Sequence, residues 1–266
     1  MTIKVESLPS IRRHTFHFLE KANESQAIYL STEVDATALI AQRAIFSQAS
    51  KNISYVSFFL YTISRAIEAF PEVNCSVQGR HNPKRWCFSS IDGKVTVDTR
   101  ANGERIVTST VLKELNHKSL TAIQNEINEM KTASFEKDEK FKPIRKLQKF
   151  PIWFGRKIYN KVMKNPVTWH QTQGSFTVTS LGHVSINSFF PMSSNTTCFG
   201  IGAIRQCPVV MDGDIVIRPI LPLSMSFDHR AIDGALAADF LQHIKYLIEG
   251  LGEEKWPENQ KNQATT

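Results

Sequence analysis

No stretch of this 266-residue chain is apolar for long enough to cross a bilayer, which takes about 20 such residues. The opening residues, Met1-Thr2-Ile3-Lys4-Val5-Glu6-Ser7, lack the apolar core of a secretory signal. Cysteine is scarce. The four, at 75, 87, 198 and 207, show neither CxxC nor Cys/His ligand spacing. No zinc or other metal site and no disulfide framework is indicated, and a reducing, cytoplasmic setting is expected. No internal repeat is evident. Acid is missing from one region: between Lys140 and Lys164 there are nine Lys or Arg residues and no Asp or Glu. Those nine outnumber the net charge of +7, so the rest of the chain is not basic. A general surface for nucleic acid is therefore not expected.

What is present is ordinary for a folded protein: 41% hydrophobic and 21% charged residues, on a chain long enough for one large core or two small ones. Residues 1–20 read as an extended start and then a helix entered at Pro9-Ser10. Arg12 and Arg13 stand at its first turn, where the helix dipole disfavours cations, so a carboxylate elsewhere is expected to hold one of them. Segment 27–34 alternates like a strand, Asp35 caps a helix to about residue 48, and 55–70 is an apolar helix stopped by Pro71. Runs 74–77, 86–90, 94–99 and 106–112 have strand character, with Gly79 and the hairpin signal Asp92-Gly93 as turns. An amphipathic helix over 119–133 lines up Leu120, Ile123, Ile127 and Met130. Strands follow at 174–180, 199–204 and 214–220, with Asp212-Gly213 as a hairpin turn, and a last helix runs from Ala235 to near Gly250. Residues 253–266 have the composition of a flexible tail. Strands and helices interleave without a βαβα rhythm. The expected fold class is α/β, a two-layer sandwich of a mixed sheet with helices packed on one side.

Chemistry concentrates near the C-terminus. An apolar, alternating segment over 219–227 delivers Asp228, His229 and Arg230 at its end, and a helical stripe begins just after Ile232, Asp233 and Gly234. A rigid strand that ends in polar residues before a helix aims side chains into a crevice. His229 and Asp233, four apart with Gly234 behind, suit a base, a nearby carboxylate and a tight turn. Histidine fits the base because its ordinary pKa, about 6.5, lies near working pH. Asp228 and Arg230 read as surface or structural residues, and Asp98 as a strand-edge residue. His14, His17, His170 and His183 have no ligand spacing and read as structural or surface. Trp153 and Trp169 read as aromatic core.

The stretch His229-Arg230-Ala231-Ile232-Asp233-Gly234 resembles the signature of the chloramphenicol acetyltransferase-like superfamily. It is most similar to the acyltransferase catalytic domain of 2-oxo acid dehydrogenase complexes. The likeness extends to Leu8-Pro9-Ser10-Ile11-Arg12-Arg13, to segments 33–39, 70–74, 97–99 and 118–120, to Phe176-Thr177-Val178-Thr179-Ser180-Leu181-Gly182 and to 208–213, in the family's order. The resemblance implies a catalytic domain over residues 1–252 and a homotrimer with active sites between subunits. The His would come from one subunit and a strand Ser or Thr from its neighbour. It implies acyl transfer through coenzyme A, with no metal and no covalent acyl-enzyme. Laid on the motifs, His229 is the general base and Thr179 the oxyanion stabiliser, ahead of Ser180, which points to the other face of the strand. Asp233 would pair with Arg13 and hold the site's shape, and Gly234 would allow a conformation or approach that a Cβ forbids. No coenzyme-contacting residue is assigned.

Two departures bear on substrate. The chain begins directly in the catalytic region, so no lipoyl group is expected on it, and a lipoyl acceptor would have to sit on a separate protein. Residues 136–173 also form a longer connection than the family usually has, rich in aromatics and bases. They could act as a lid, as a peripheral membrane contact through 140–164, as a dock for an acidic carrier protein, or as a solvated helical insertion without further role. Three functions follow from the resemblance. The first is a stand-alone CoA-dependent acyltransferase acting on a thiol or hydroxyl acceptor. The second is a dehydrogenase-complex core served by a separate lipoyl protein, and the third a non-catalytic oligomeric scaffold. Retention of His229, Asp233, Gly234 and a hydroxyl at 179 argues against the scaffold.

Overall fold

The computed structural model describes residues 3–4, 9–79, 82–101 and 104–252. Helix α1 (Arg13–Ala22) follows a short 3-10 turn at Ser10–Arg12, and β1 (Ala27–Asp35) comes next. Asp35 then accepts from the Thr37 backbone N–H, at 2.9 Å, at the start of α2 (Thr37–Gln48). Ser54 caps α3 (Tyr55–Ala69) by accepting from the Ser57 N–H, and Pro71 ends that helix by opening a 3-10 turn. A small separate hairpin pairs β2 (Cys75–Gln78) with β3 (Lys84–Cys87).

The main sheet continues with β4 (Gly93–Ala101) and β5 (Glu104–Leu112). Then come α4 (Leu120–Thr132), capped by Ser119, and the helices of the basic segment: α5 (Lys142–Gln148), α6 (Ile152–Val162) and α7 (Pro166–Gln173). Strands β6 (Phe176–Ser180), β7 (Thr197–Ile201), β8 (Arg205–Met211) and β9 (Asp214–Asp228) lead to the final helix, α8 (Gly234–Glu249). The strand order is β1-β9-β7-β6-β4-β5, with β8 pairing the first half of β9. The β4–β6 and β6–β7 pairs are parallel and the others antiparallel, so the sheet is mixed.

One apolar core joins the sheet to its helical layer. Phe176, Val178, Phe199, Leu221, Leu223, Met225 and Phe227 project from the strands. Phe58, Phe59, Ile63 and Ile67 of α3, Ile123 and Ile127 of α4, and Phe240 and Ile244 of α8 meet them. Each such side chain contributes about 1.5–3 kcal/mol when fully buried. The expected two-layer sandwich is the fold observed. The opposite face of the sheet is polar and is crossed at β4 by α1: the Lys94 ammonium lies 4.8 Å from the centre of the Phe18 ring. Among the described residues no helix is long and apolar enough to cross a membrane.

Several expectations need correction. Asp92-Gly93 is not a hairpin turn, because β3 and β4 belong to different sheets. Asp92 is buried and its carboxylate accepts from the Glu114 N–H. Gly93 sits so close to its neighbours that a Cβ would come within 2.4 Å of Leu115 and 2.9 Å of Phe176. Asp212-Gly213 is the true hairpin, with both residues at positive φ (52° and 91°) between β8 and β9. Strand β8 was not foreseen, and β9 runs on unbroken from residue 214 to 228. Cys75 and Cys87 are joined by a disulfide, because the β2–β3 register sets them directly opposite each other. The inference of a reducing compartment from unpaired cysteines therefore loses its premise. Trp169 is core as expected, but Trp153 is 61% exposed. The proposed tail, 253–266, lies outside the described residues.

Lys94 yields a test of this packing. It is buried and donates to Gln173 Oε1 at 2.8 Å, and burial lowers its pKa from 10.5 to about 8. Between pH 8 and 10.5 the unfolded chain holds a proton there that the folded chain has lost, so this lysine makes stability rise with pH across that window, by about 3 kcal/mol in all. Below pH 8 both states are charged and its contribution is constant. Above pH 9 the buried Cys198 thiol, raised by burial to about 12, keeps a proton that the unfolded chain gives up and so offsets the lysine. Urea unfolding should therefore show the net rise between pH 8 and 9, and Lys94→Met should remove it.

Candidate active site

The last turn of backbone after β9 is pinned by a buried carboxylate. Asp228 Oδ1 accepts from the Gln26 N–H (3.3 Å), the Arg230 N–H (3.1 Å) and Arg230 Nε (2.9 Å). A second guanidinium nitrogen of Arg230 reaches Asp228 Oδ2 at 2.6 Å, and the Arg230 guanidinium also donates to the Val77 carbonyl on the β2–β3 hairpin. This bidentate pair holds the Arg230 pKa above its usual value, chiefly through the hydrogen bonds that its guanidinium donates to Asp228. His229 stands between these two residues. Its N–H donates to the Gln26 carbonyl at 2.9 Å, so its backbone is fixed from both sides. Its ring stays accessible, with the side chain 44% exposed and the Phe227 ring centre 5.7 Å away.

Asp233 provides the backbone N-cap of α8: its carbonyl accepts from Ala237 N–H at 3.0 Å, while its carboxylate makes no cap bond. That carboxylate is 90% exposed and lies 3.7 Å from His229 Nδ1, near enough for charge attraction and too far for a hydrogen bond. Arg13 does not join it. The Arg13 guanidinium donates instead to the carbonyls of Gln148 (3.2 Å) and Phe150 (3.1 Å), at the C-terminal end of α5, where helix carbonyls lack partners and favour a cation. Gly234 also departs from expectation. Its φ is not positive and a Cβ there would meet nothing within 4 Å in this chain.

Thr179 lies on the polar face of β6 and is half-buried. Thr96 Oγ1 on β4 donates to Thr179 Oγ1 at 2.7 Å. A hydroxyl that accepts from one neighbour keeps its own hydrogen for another acceptor, so this arrangement leaves Thr179 ready to donate. Ser180, on the other face, accepts from the Gly182 N–H and approaches the Ile201 carbonyl. The sheet register shows how far apart the two halves lie. Thr179 is opposite Gly200, and Gly200 is opposite Ser224, five residues before His229. Strand spacing of about 4.8 Å and a rise of about 3.3 Å per residue put Thr179 roughly 19 Å from His229 within one chain. The two cannot touch a common reacting atom in a monomer.

A pocket beside Asp228, lined by Ala22, Asn195, Cys198 and Ser226 among others, encloses about 10 Å³, room for one water and not for an acyl chain. Among the described residues no group of three His, Cys, Asp or Glu side chains could hold a metal ion. The four other histidines weighed from the sequence are elsewhere: His14 bonds Gln148, His17 packs on Tyr159, His170 bonds Ser90, and His183 is exposed. Sequence reasoning missed Thr96 and Gln26, whose roles arise from strand pairing across 83 and 202 positions. It left Asp228 open between surface and structure, although an Asp two residues before an Arg was a readable sign of the fork.

The model of the family "2-oxoacid dehydrogenases acyltransferase (catalytic domain)" matches residues 2–144 and 156–253. The dihydrolipoyllysine-residue acetyltransferase component of the pyruvate dehydrogenase complex from Bacillus subtilis is 29% identical over 229 residues, covering 83% of this chain and 44% of that protein. The chain spans about half the length of the curated relatives it matches. Among solved structures, a probable dihydrolipoamide acetyltransferase from Listeria monocytogenes superposes with a TM-score of 0.71 at 23% identity, over 95% of this chain and 97% of that one. A chloramphenicol acetyltransferase follows at 0.52 and 15%, over 92% and 98%. The chain belongs to the 2-oxoacid dehydrogenase acyltransferase family, as a catalytic domain, and shares the chloramphenicol acetyltransferase-like fold.

The Asp228–Arg230 fork should matter to folding. Asp228→Ala leaves a largely covered guanidinium and the Gln26 N–H without their acceptor, and should lower the unfolding free energy by about 2–3 kcal/mol in urea titrations. A loss below about 0.5 kcal/mol would mean that the fork adds nothing to stability.

Proposed function

On the premise of that family membership, we propose that the chain catalyses transfer of an acyl group between a coenzyme A thioester and a thiol or hydroxyl acceptor, at sites shared between subunits of a homotrimer. The observation that carries this reading is the pair of half-sites: an accessible His229 on a rigid strand end, and a Thr179 hydroxyl with a free hydrogen, too far apart to serve one another in a single chain.

Each residue has a defined task in such a transfer. The His229 ring turns Nδ1 toward Asp233 and leaves Nε2 to accept the proton of the attacking thiol or hydroxyl. The nucleophile adds to the thioester carbonyl, and the negative charge collects on the carbonyl oxygen. Thr179 of a neighbouring subunit donates its hydroxyl hydrogen to that oxyanion, while Thr96 holds the threonine oxygen in place. As the intermediate collapses, the carbon–sulfur bond to coenzyme A breaks and the imidazolium returns its proton to the departing thiolate. Asp233 favours the transient imidazolium by charge alone, a weak effect at its exposure. No residue of the chain becomes acylated in this scheme.

Dihydrolipoamide is the first acceptor to try, since relatives are named for transfer to a dihydrolipoyllysine residue. A second reading, a dehydrogenase-complex core served by a lipoyl group on a separate protein, is favoured by the same names. Sedimentation separates the two, because a free enzyme has the mass of three subunits and a complex core a far larger one.

With acetyl-CoA and dihydrolipoamide, His229→Ala should reduce kcat by about 10²–10⁴. Thr179→Ala should cost about 10²–10³, and Thr179→Ser should restore most of it. The shared-site claim has its own test. Neither single variant is active alone, but an equal mixture refolded together should regain activity, with about a quarter of the sites complete. A mixture as inactive as its parents would sink the inter-subunit site and leave the family assignment standing.

A further inference from the structure

Helices α5 and α6 carry a feature that acyl transfer does not use. At the turn joining them, Phe150, Trp153 and Phe154 form an aromatic cluster, with the Phe154 ring centre 5.1 Å from Phe150 and 5.6 Å from Trp153. Trp153 is 61% exposed, and Phe150 and Phe154 are 37% exposed. Lys146, Lys149, Lys157 and Lys161, on or beside the same two helices, are all exposed, and the Lys157 ammonium lies 5.6 Å from the centre of the Trp153 ring. The described ion pairs of this segment use other bases: Lys140 with Glu129, Lys142 with Glu139, and Arg156 with Glu20.

The cluster is held firmly. Arg13 fastens the end of α5, and Arg156 ties α6 to α1 through Glu20. Gly155 lets α6 lie close on α1, where a Cβ would come within 2.8 Å of His17 Nε2. The family model matches up to residue 144 and again from 156, which leaves the three rings at 150, 153 and 154 outside the matched stretches.

We propose that the α5–α6 tip docks the protein on an anionic phospholipid surface, with the three rings entering the headgroup region and the lysines meeting lipid phosphates. The chemistry selects that occupant. Acidic groups alone would complement the lysines and not the rings, whereas a bilayer interface offers anionic phosphate and apolar acyl chain side by side, the setting in which Trp is enriched. An absence of acid over residues 140–164 removes the repulsion that would oppose such contact. Each lysine near the surface is worth about fivefold in partitioning.

Pelleting of the full chain with sucrose-loaded vesicles tests this. It should sediment with phosphatidylcholine–phosphatidylserine vesicles of about 2:1 composition and barely with phosphatidylcholine alone. The double variant Lys157→Glu, Lys161→Glu should lower partitioning by about 30-fold or more. Trp153→Ser should weaken it as well, and neither should change transfer to a soluble acceptor. Three results would overturn the proposal: equal partitioning of wild type and variants, no pelleting of the wild type, or capture by an acidic carrier protein in place of vesicles. A fall in the assembly mass of the double variant would also overturn it, because the face would then be a contact between copies of this chain.

Discussion

Strand β9 is hydrogen-bonded along both edges, and the rest of the molecule is placed by it. Its first half is tied to β8, its second half to β1 on one side and β7 on the other. Leu221, Leu223, Met225 and Phe227 point into the helical layer, while Ser224 and Ser226 point the other way and donate to the carbonyls of Phe189 and Pro191. A strand held on two edges and two faces cannot shift register without exposing its whole apolar set. Asp228, its last residue, inherits that rigidity and passes it through Arg230 and Gln26 to the backbone of His229. The histidine is thus aimed by the longest strand of the sheet and not by its own side-chain contacts.

The polar face of the same sheet forms a second organised system. Thr177 bonds Ser193 and Asn195, Lys94 and Ser194 share Gln173, and Thr96 bonds Thr179. Such buried polar groups are tolerated because nearly all find partners, and they fix the strands laterally as the apolar face fixes them in depth. Thr179 gains its free hydroxyl hydrogen from this network. The distance between it and His229 is a consequence of strand spacing, and the proposal of a shared site rests on it.

The basic segment changes the surroundings of the family's core in two ways. Its first helix offers carbonyls that engage Arg13, and its later helices cover α1 while leaving an aromatic and lysine-rich tip in solvent. The Arg13–Asp233 pair that resemblance suggested is replaced by a contact closer at hand. A guanidinium takes the acceptors its backbone position brings within reach, and the C-terminal end of α5 supplies two of them.

Local pattern determined a good deal by itself. The Asp35 bond at the start of α2, the stop at Pro71, the Asp212-Gly213 hairpin and the apolar stripes of α3, α4 and α8 all rest on neighbours within a few residues, and these were legible. So was the strand-to-helix junction carrying His229 and Asp233. Contacts between distant segments were not. The Cys75–Cys87 disulfide, the Thr96–Thr179 bond, the partner of Arg13 and the exposure of Trp153 depend on strand register and helix packing across separations that no local spacing encodes. Asp92-Gly93 has the composition of a turn and lies straight, because the anchoring of Asp92 to Glu114 and the tight packing around Gly93 outweigh turn propensity. Sequence alone therefore determined which elements form and which residue types carry the chemistry, since those depend on short-range sterics and periodicity. Only the tertiary structure decided which side chains meet, because that follows from how the sheet brings distant segments together.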